Sequence, residues 1–340
     1  MSDILIYGAN GYSGRLCARV LIAGGYQPVL AGRSNAVRGI AREMGCRGIV
    51  VPLDDAEGLR FALEGVRLVV HVAGPHSETQ EPMIRACLDR GVHYIDLAGK
   101  VSELEAAYAF DRQAADAGIM LMPGAGFVVV PMDIAARMAS DALPGATSLT
   151  ICVATEGGAS RGTIRTMLKD IDRTGVRVVD GSLEEAAPAR TQYSFHVGNR
   201  SFEGVLNPWR GDVFTAFIGT GVPNIEAYQA LPDFVVRMMR GRMLWMRDLA
   251  LRFGLRFIPE GPSDEKLAKG RTYISVIAAN SDEKKRIAFS GSEAYLFTAC
   301  CVREIAARVL AGNAPAGYQV PSIYGKDLLD GIEGVRWIQV

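Results

Sequence analysis

Seven residues near the start of the chain, Gly8-Ala9-Asn10-Gly11-Tyr12-Ser13-Gly14, constrain its fold more than any other feature. They follow the apolar run Ile4–Tyr7 directly and open a helical pattern over 14–22. Glycines spaced by three between a buried strand and a helix answer three steric demands. The backbone must turn tightly, leave room for a close ligand, and let helix meet sheet. The helix N-terminus then offers free N–H groups and the positive end of its dipole, a natural seat for a pyrophosphate. The spacing is G-x-x-G-x-x-G rather than G-x-G-x-x-G, so its placement inside a β-α-β unit counts as much as the glycines.

The rest of the first 122 residues keeps this rhythm. Apolar runs at 28–31, 48–52, 67–72, 93–97 and 119–122 alternate with helical patterns such as 80–90 and 102–117. Continuous apolar strands between amphipathic helices predict a parallel sheet covered on both faces. A helix over 133–142 runs into Leu143-Pro144-Gly145, a turn that closes a first domain at about residue 145. Strand-like segments then dominate, at 148–155, 191–197, 201–205, 213–218, 272–279 and 286–290, with a helix at 163–174. The fold class expected is α/β: an N-terminal doubly wound Rossmann domain, then an α+β substrate domain on a mixed sheet over 146–290. The helix at 293–311 and the tail to 340 are expected to rejoin the first domain.

Composition narrows the function classes. A length of 340 residues leaves room for two domains. Lys+Arg and Asp+Glu are both 37, so there is no basic surplus of the kind a nucleic-acid binder carries. The six cysteines form no C-x-x-C pair and sit mostly in apolar runs, which reads as reduced thiols rather than a zinc site or disulfide framework. The chain opens on a strand rather than a basic-then-apolar leader, and no uncharged apolar run reaches about 18 residues. A cytoplasmic protein is the expectation.

The second strand ends Ala31-Gly32-Arg33-Ser34. An NAD-selective site places a carboxylate here for the ribose 2′-OH, whereas Arg33 and the Ser34 hydroxyl suit a 2′-phosphate. NADP(H) is therefore the expected cofactor. Arg38 either assists or is a surface charge, and Asp54 either touches the adenine edge or caps a helix.

Several of these motifs together resemble the saccharopine dehydrogenase-like oxidoreductases, which include trans-acting enoyl reductases. The glycine loop and Ala31-Gly32-Arg33 carry the resemblance first. Ala73-Gly74-Pro75-His76, Tyr94-Ile95-Asp96-Leu97-Ala98-Gly99 and Pro123-Gly124-Ala125-Gly126-Phe127 continue it. Ser160-Arg161-Gly162-Thr163 and Thr220-Gly221-Val222-Pro223-Asn224-Ile225-Glu226 extend it into the second domain. The resemblance implies cofactor contacts from Ala73, Gly74 and Pro75, and substrate contacts from Gly126, Phe127, Ser160, Thr163 and Asn224. Two positions depart from the family pattern: Lys100 stands where Glu is usual, and Val128 where Asp is usual.

Ligands of open parallel sheets lie beyond the carboxyl ends of the strands, where His76 and Lys100 both fall. These two are the candidate proton donors for a reduction, while Asp96 is read as structural. No Tyr-x-x-x-Lys occurs, so short-chain dehydrogenase chemistry is set aside. Gly158-Ala159-Ser160-Arg161-Gly162 fits G-x-S-x-G, but His196 is the only histidine downstream and lies too close for the usual triad order. Residues 232–257 hold six arginines and two aspartates interleaved with Met, Trp and Phe. Such a basic amphipathic element can meet an anionic membrane, an acyl carrier or an acyl chain. The simpler expectation is a helix that covers the second sheet or a partner in a homodimer. The reading reached is an NADPH-dependent reductase of an activated C=C bond, with imine reduction and a non-catalytic NADP-binding sensor as alternatives.

Overall fold

The computed structural model describes residues 3–339. The chain begins β1 (Ile4–Tyr7), α1 (Tyr12–Ala23), β2 (Val29–Gly32), α2 (Ala36–Glu43), β3 (Gly48–Val50) and α3 (Ala56–Ala62). It continues β4 (Leu68–His71), α4 (His76–Arg90), β5 (His93–Asp96), α5 (Val101–Tyr108), α6 (Asp111–Asp116) and β6 (Met120–Met122). Next come α7 (Val130–Ala142), β7 (Ser148–Glu156), α8 (Arg161–Asp170), β8 (Gly175–Val179), β9 (Ser182–Ala186), β10 (Gln192–Val197) and β11 (Arg200–Leu206). Then follow α9 (Asp212–Thr220), β12 (Ile225–Ala230), α10 (Asp233–Met239), α11 (Leu244–Arg252), α12 (Asp264–Lys269), β13 (Arg271–Ala279) and β14 (Lys284–Ser292). The chain ends with α13 (Ala294–Leu310), β15 (Gly317–Tyr318), α14 (Gly325–Asp330) and β16 (Arg336–Ile338).

Seven strands form the first sheet in the order β15-β6-β5-β4-β1-β2-β3, all parallel. Strand order reverses at β1, with β2 on one side and β4 on the other, which places the ligand crevice of such a sheet at the end of β1. Every residue of β1, β2 and β4 is buried, as continuous apolar runs in a doubly covered sheet require. The expected Rossmann domain is present.

The second sheet is mixed. Its path runs β10-β11-β12-β7-β13-β14-β16, with β7 and β12 parallel and the other neighbours antiparallel. The β8–β9 hairpin attaches through β12.

Chain contacts define two compact units. One comprises the chain up to Val130 together with Tyr295–Ile323, and the other Pro131–Ala294 with the tail from Tyr324. The division thus falls at the start of α7 rather than at the 143–145 turn. Helix α7 is tied to the second unit where Arg137 donates to the Gly219 carbonyl at 3.2 Å. The C-terminal helix α13 belongs to the first unit, but the tail does not follow it. Strand β16 pairs with β14, Trp337 opposite Phe289, so the last residues join the second sheet.

Three local expectations need correction. Residues 213–218, read as a strand, lie in α9. Gly211 precedes that helix, Gly221 closes it at φ 67°, and Val213 to Ala216 are buried consecutively, which a one-faced strand would not do. The pattern at 102–117 is two helices, broken at Ala109–Phe110. Residues 232–257 divide at Gly241 into α10 and α11 instead of one element.

Candidate functional site

The end of β1 is built for close approach of backbone to a ligand. Gly8 has φ 90°, and a Cβ there would stand 2.6 Å from the Ala73 amide nitrogen. A Cβ on Gly14 would stand 2.4 Å from the Gly8 carbonyl oxygen, so this glycine lets α1 rest on the loop. Gly11 differs. It is the N-cap of α1 with φ −81° and ψ 166°, and a Cβ there would meet only the Gly8 oxygen, at 3.5 Å. The space above Gly11 is open, no side chain caps the helix, and no acid occupies its first turn. Asn10 and Gly11 are exposed, Tyr12 and Ser13 half-buried, and Ala9 fully buried. An anion can therefore reach the orphan N–H groups of α1.

Arg33 and Ser34 follow β2 directly and are exposed, and Asp54 is exposed past β3. Helix α3 is capped by Asp55, whose carboxylate accepts from Gly58 N at 2.8 Å, so the capping alternative for Asp54 falls away. The Tyr7 hydroxyl, which the sequence did not single out, donates to the Val51 carbonyl at 2.9 Å. Burial pushes this phenol up to about 12, with Arg33 pulling it down and Asp54 pushing it up. Tyr7 thus feels both charged groups expected to frame the adenosine end.

On the other side of β1, Asp96 holds the strand-end loops in place. Its Oδ1 accepts from Ala98 N at 2.8 Å and Gly124 N at 2.9 Å. Its Oδ2 accepts from Gln80 Nε2 at 2.7 Å and the Tyr94 hydroxyl at 2.8 Å. The carboxylate is fully buried, which matches the structural reading given to it. Lys100 is the N-cap of α5 and half-buried. The Glu103 carboxylate reaches back to accept from Gly99 N at 3.2 Å and Lys100 N at 3.3 Å, fixing the backbone on which Lys100 stands. Glu three residues after Lys100 was a readable signal for this.

His76 sits differently from Lys100. It opens α4, is only 9% exposed, and packs edge-on against His71 with ring centroids 5.4 Å apart. Its Nδ1 is 4.0 Å from Asp96 Oδ2. Ala73, Gly74 and Pro75 lie between β4 and this helix, with Ala73 half-buried and the other two exposed.

The five residues implied as substrate contacts are already engaged. Gly126 is buried, and a Cβ there would meet Thr298 at 3.0 Å. Phe127 is buried, its amide donates to Thr298 Oγ1 at 3.1 Å, and its ring packs on Phe297. Ser160 caps α8, accepting from Thr163 N at 3.1 Å, and its hydroxyl is 3.0 Å from that of Thr163. Asn224 donates to the Thr147 carbonyl at 3.0 Å and accepts from Asp180 N at 3.2 Å. Val128, by contrast, is 41% exposed. It stands beside Gly99, where a Cβ would lie 3.2 Å from Val128 Cγ1. Val128 thus packs beside the residue that precedes Lys100.

Beneath this rim His71 is fully buried, stacked on Tyr7 and Tyr94, with Nε2 hydrogen-bonded to Thr79 Oγ1 at 3.0 Å. Burial, and then the neighbouring His76, hold its pKa well below the usual 6.5. The unfolded chain therefore binds the proton more readily. The stability contributed by neutral His71 is complete above pH 6.5 and is lost as the pH falls below it, by up to about 1.4 kcal/mol per unit. Urea unfolding at pH 7.5 and 5.5 checks this: the wild type should lose more stability than His71→Phe, which keeps the stacking and removes the titration. Equal losses would assign the acid sensitivity elsewhere.

Residues 4–122 match the family described as saccharopine dehydrogenase NADP binding domain. A Mycobacterium tuberculosis protein bearing the trans-acting enoyl reductase name is 32% identical over 182 residues, covering 49% of this chain and 43% of that protein. The trans-acting enoyl reductase of Mycobacterium bovis is 32% identical over 141 residues, covering 39% of this chain and 34% of its own. The chain thus matches less than half the length of these relatives. Among solved structures, the apo saccharopine dehydrogenase (L-Glu forming) of Saccharomyces cerevisiae aligns over 100% of both chains, with TM-score 0.65 and 10% identity, a likeness of fold. Residues 4–122 are therefore similar to saccharopine dehydrogenase NADP-binding domains, on a chain whose fold is like that of the yeast saccharopine dehydrogenase.

Proposed function

We propose that the protein is an NADPH-dependent reductase of an activated C=C bond in an acyl-type substrate. When bound, NADPH supplies the hydride. The orphan N–H groups at the start of α1 would hold its pyrophosphate, and Arg33 with Ser34 would hold its 2′-phosphate. Asp96 ties the Ala98 and Gly124 backbone together through Oδ1, and Lys100 gives the proton that completes the reduction. The observation that carries the substrate class is Val128, an exposed valine beside Gly99 at a position where the family pattern has a carboxylate. An apolar residue there favours a hydrocarbon chain over an amino-dicarboxylate, which needs several fixed cations.

The deciding measurement is product analysis with NADPH deuterated at C4. Deuterium in a saturated acyl carbon of an enoyl thioester supports the proposal. Turnover only with an amino acid and oxo acid pair would replace it with imine reduction, and binding without turnover would leave a sensor.

The cofactor preference has its own test. Arg33→Asp should weaken NADPH by about ten- to a hundredfold, the scale of one or two charged hydrogen bonds, and leave NADH little changed. Equal affinity of the wild type for both dinucleotides would remove the role given to Arg33.

A further inference from the structure

We propose that the outer face of α10, α11 and the turn that follows is a docking surface for an anionic membrane. Helix α10 buries Val235, Val236, Met238 and Met239 in a cluster with Leu168, Ile171, Val205 and Leu255. Its inner face, and the half-buried Leu244, Met246, Ala250 and Leu251 of α11, therefore do the work of a covering helix pair. The outer face is not accounted for by that packing. Trp245, Leu249 and Phe253 recur at i, i+4 and i+8 along α11, so they form one stripe. Trp245 is 65% exposed and Phe257 in the next turn 77%, and Phe234, Leu249 and Phe253 are exposed with them. Side chains this large rarely cluster on open surface without a binding role.

The charges around the stripe indicate the partner. Arg240 is held by the Ala189 carbonyl, and Arg247 by Asp172 and Asp248. Arg237, Arg242, Arg252 and Arg256 are exposed, and none of them pairs with a carboxylate among the described residues. The Arg256 guanidinium lies over the Phe257 ring, 4.9 Å from its centroid. Free cations flanking aromatic and aliphatic side chains match a layer with anionic headgroups above hydrocarbon, where indole and phenyl rings settle at the boundary. A second copy of the chain would bring like charge against like charge. An acidic carrier protein would satisfy the arginines but leave the apolar stripe of Trp245, Leu249 and Phe253 in need of a partner. No described helix is long and apolar enough to cross a membrane, so the contact is with its surface.

Vesicle flotation tests this with the full chain. Vesicles of phosphatidylcholine containing about one third phosphatidylglycerol should retain the protein about a hundredfold better than phosphatidylcholine alone, and high salt should release it. Replacing Arg237, Arg242, Arg252 and Arg256 by Gln should bring retention down to the neutral-vesicle level. Trp245→Ser with Phe253→Ser and Phe257→Ser should lower it about tenfold or more. Brominated lipid should quench the wild type more than Trp245→Phe, which locates the contact at α11. All the substituted side chains are exposed and lie outside the glycine loop, so NADPH affinity reports that each variant is folded. Equal retention on both vesicle types, no retention, or unchanged retention of the arginine variant would overturn the proposal. So would capture by an acidic acyl carrier without vesicle binding, or a solution dimer that the stripe variant converts to monomer in the absence of lipid binding.

Discussion

Gly11→Val should yield a folded protein that no longer retains NADP(H). The backbone at Gly11, φ −81° and ψ 166°, is extended and open to any residue, and a Cβ there meets only one oxygen at 3.5 Å. The valine branches would instead occupy the space over the α1 N-terminus that the pyrophosphate needs. Losing two or more charged hydrogen bonds to backbone N–H groups, at about 1.5–3 kcal/mol each, predicts at least a hundredfold weaker binding. Titration of NADPH fluorescence together with a thermal melt reads both halves of the expectation. Gly14→Ala is the contrasting variant. Its Cβ would press on the Gly8 carbonyl at 2.4 Å, so it should destabilise the fold itself, by about 1–3 kcal/mol or more. Unchanged NADPH affinity in Gly11→Val would mean that the loop is only a structural turn.

Lys100→Met should lower kcat by about 10²- to 10⁴-fold, the usual contribution of a positioned general acid, with NADPH affinity hardly changed. Methionine keeps the length of the side chain and removes the proton. The structure separates the two candidates more than the sequence could. Lys100 stands half-exposed on backbone held by Glu103, while the His76 ring is nearly enclosed against His71 and 4.0 Å from Asp96. His76→Phe should therefore act through packing, with a lower melting temperature and an unshifted pH–rate profile. Lys100→Met should lose turnover across the whole pH range and leave the melt alone. If both variants keep near-wild-type turnover and the same pH dependence, the proton comes from water or from the substrate.

The parts of the site legible in the sequence are those made by neighbours in the chain. The glycine loop, the strand before it and Arg33-Ser34 at the end of β2 are contiguous motifs, and strand alternation with helices places them at a sheet end without further information. Hairpin β8–β9 was equally local, marked by Asp180-Gly181 at φ 48° and 77°, yet β9 is largely polar and exposed and β8 is short, so the strand signal there is weak. Residues 213–218 misled because a short run of Val, Phe, Thr and Ile carries no period, and only its burial on consecutive positions selects a helix.

By itself the sequence determined a parallel dinucleotide-type sheet with a cationic end to β2, since both follow from short-range sterics and charge. Only the tertiary structure decided which polar groups are already in use. Asp96 joins Gly124 from 28 residues away, Phe127 meets Thr298 across 171, and Asn224 spans to Thr147 across 77. These partners are chosen by packing of distant segments, so residue type and spacing could not show that Phe127, Ser160 and Asn224 are engaged while Val128 faces solvent. The same holds for α11, whose stripe of Trp245, Leu249 and Phe253 is visible as a period, but whose outward direction depends on α10 having filled the core beneath it.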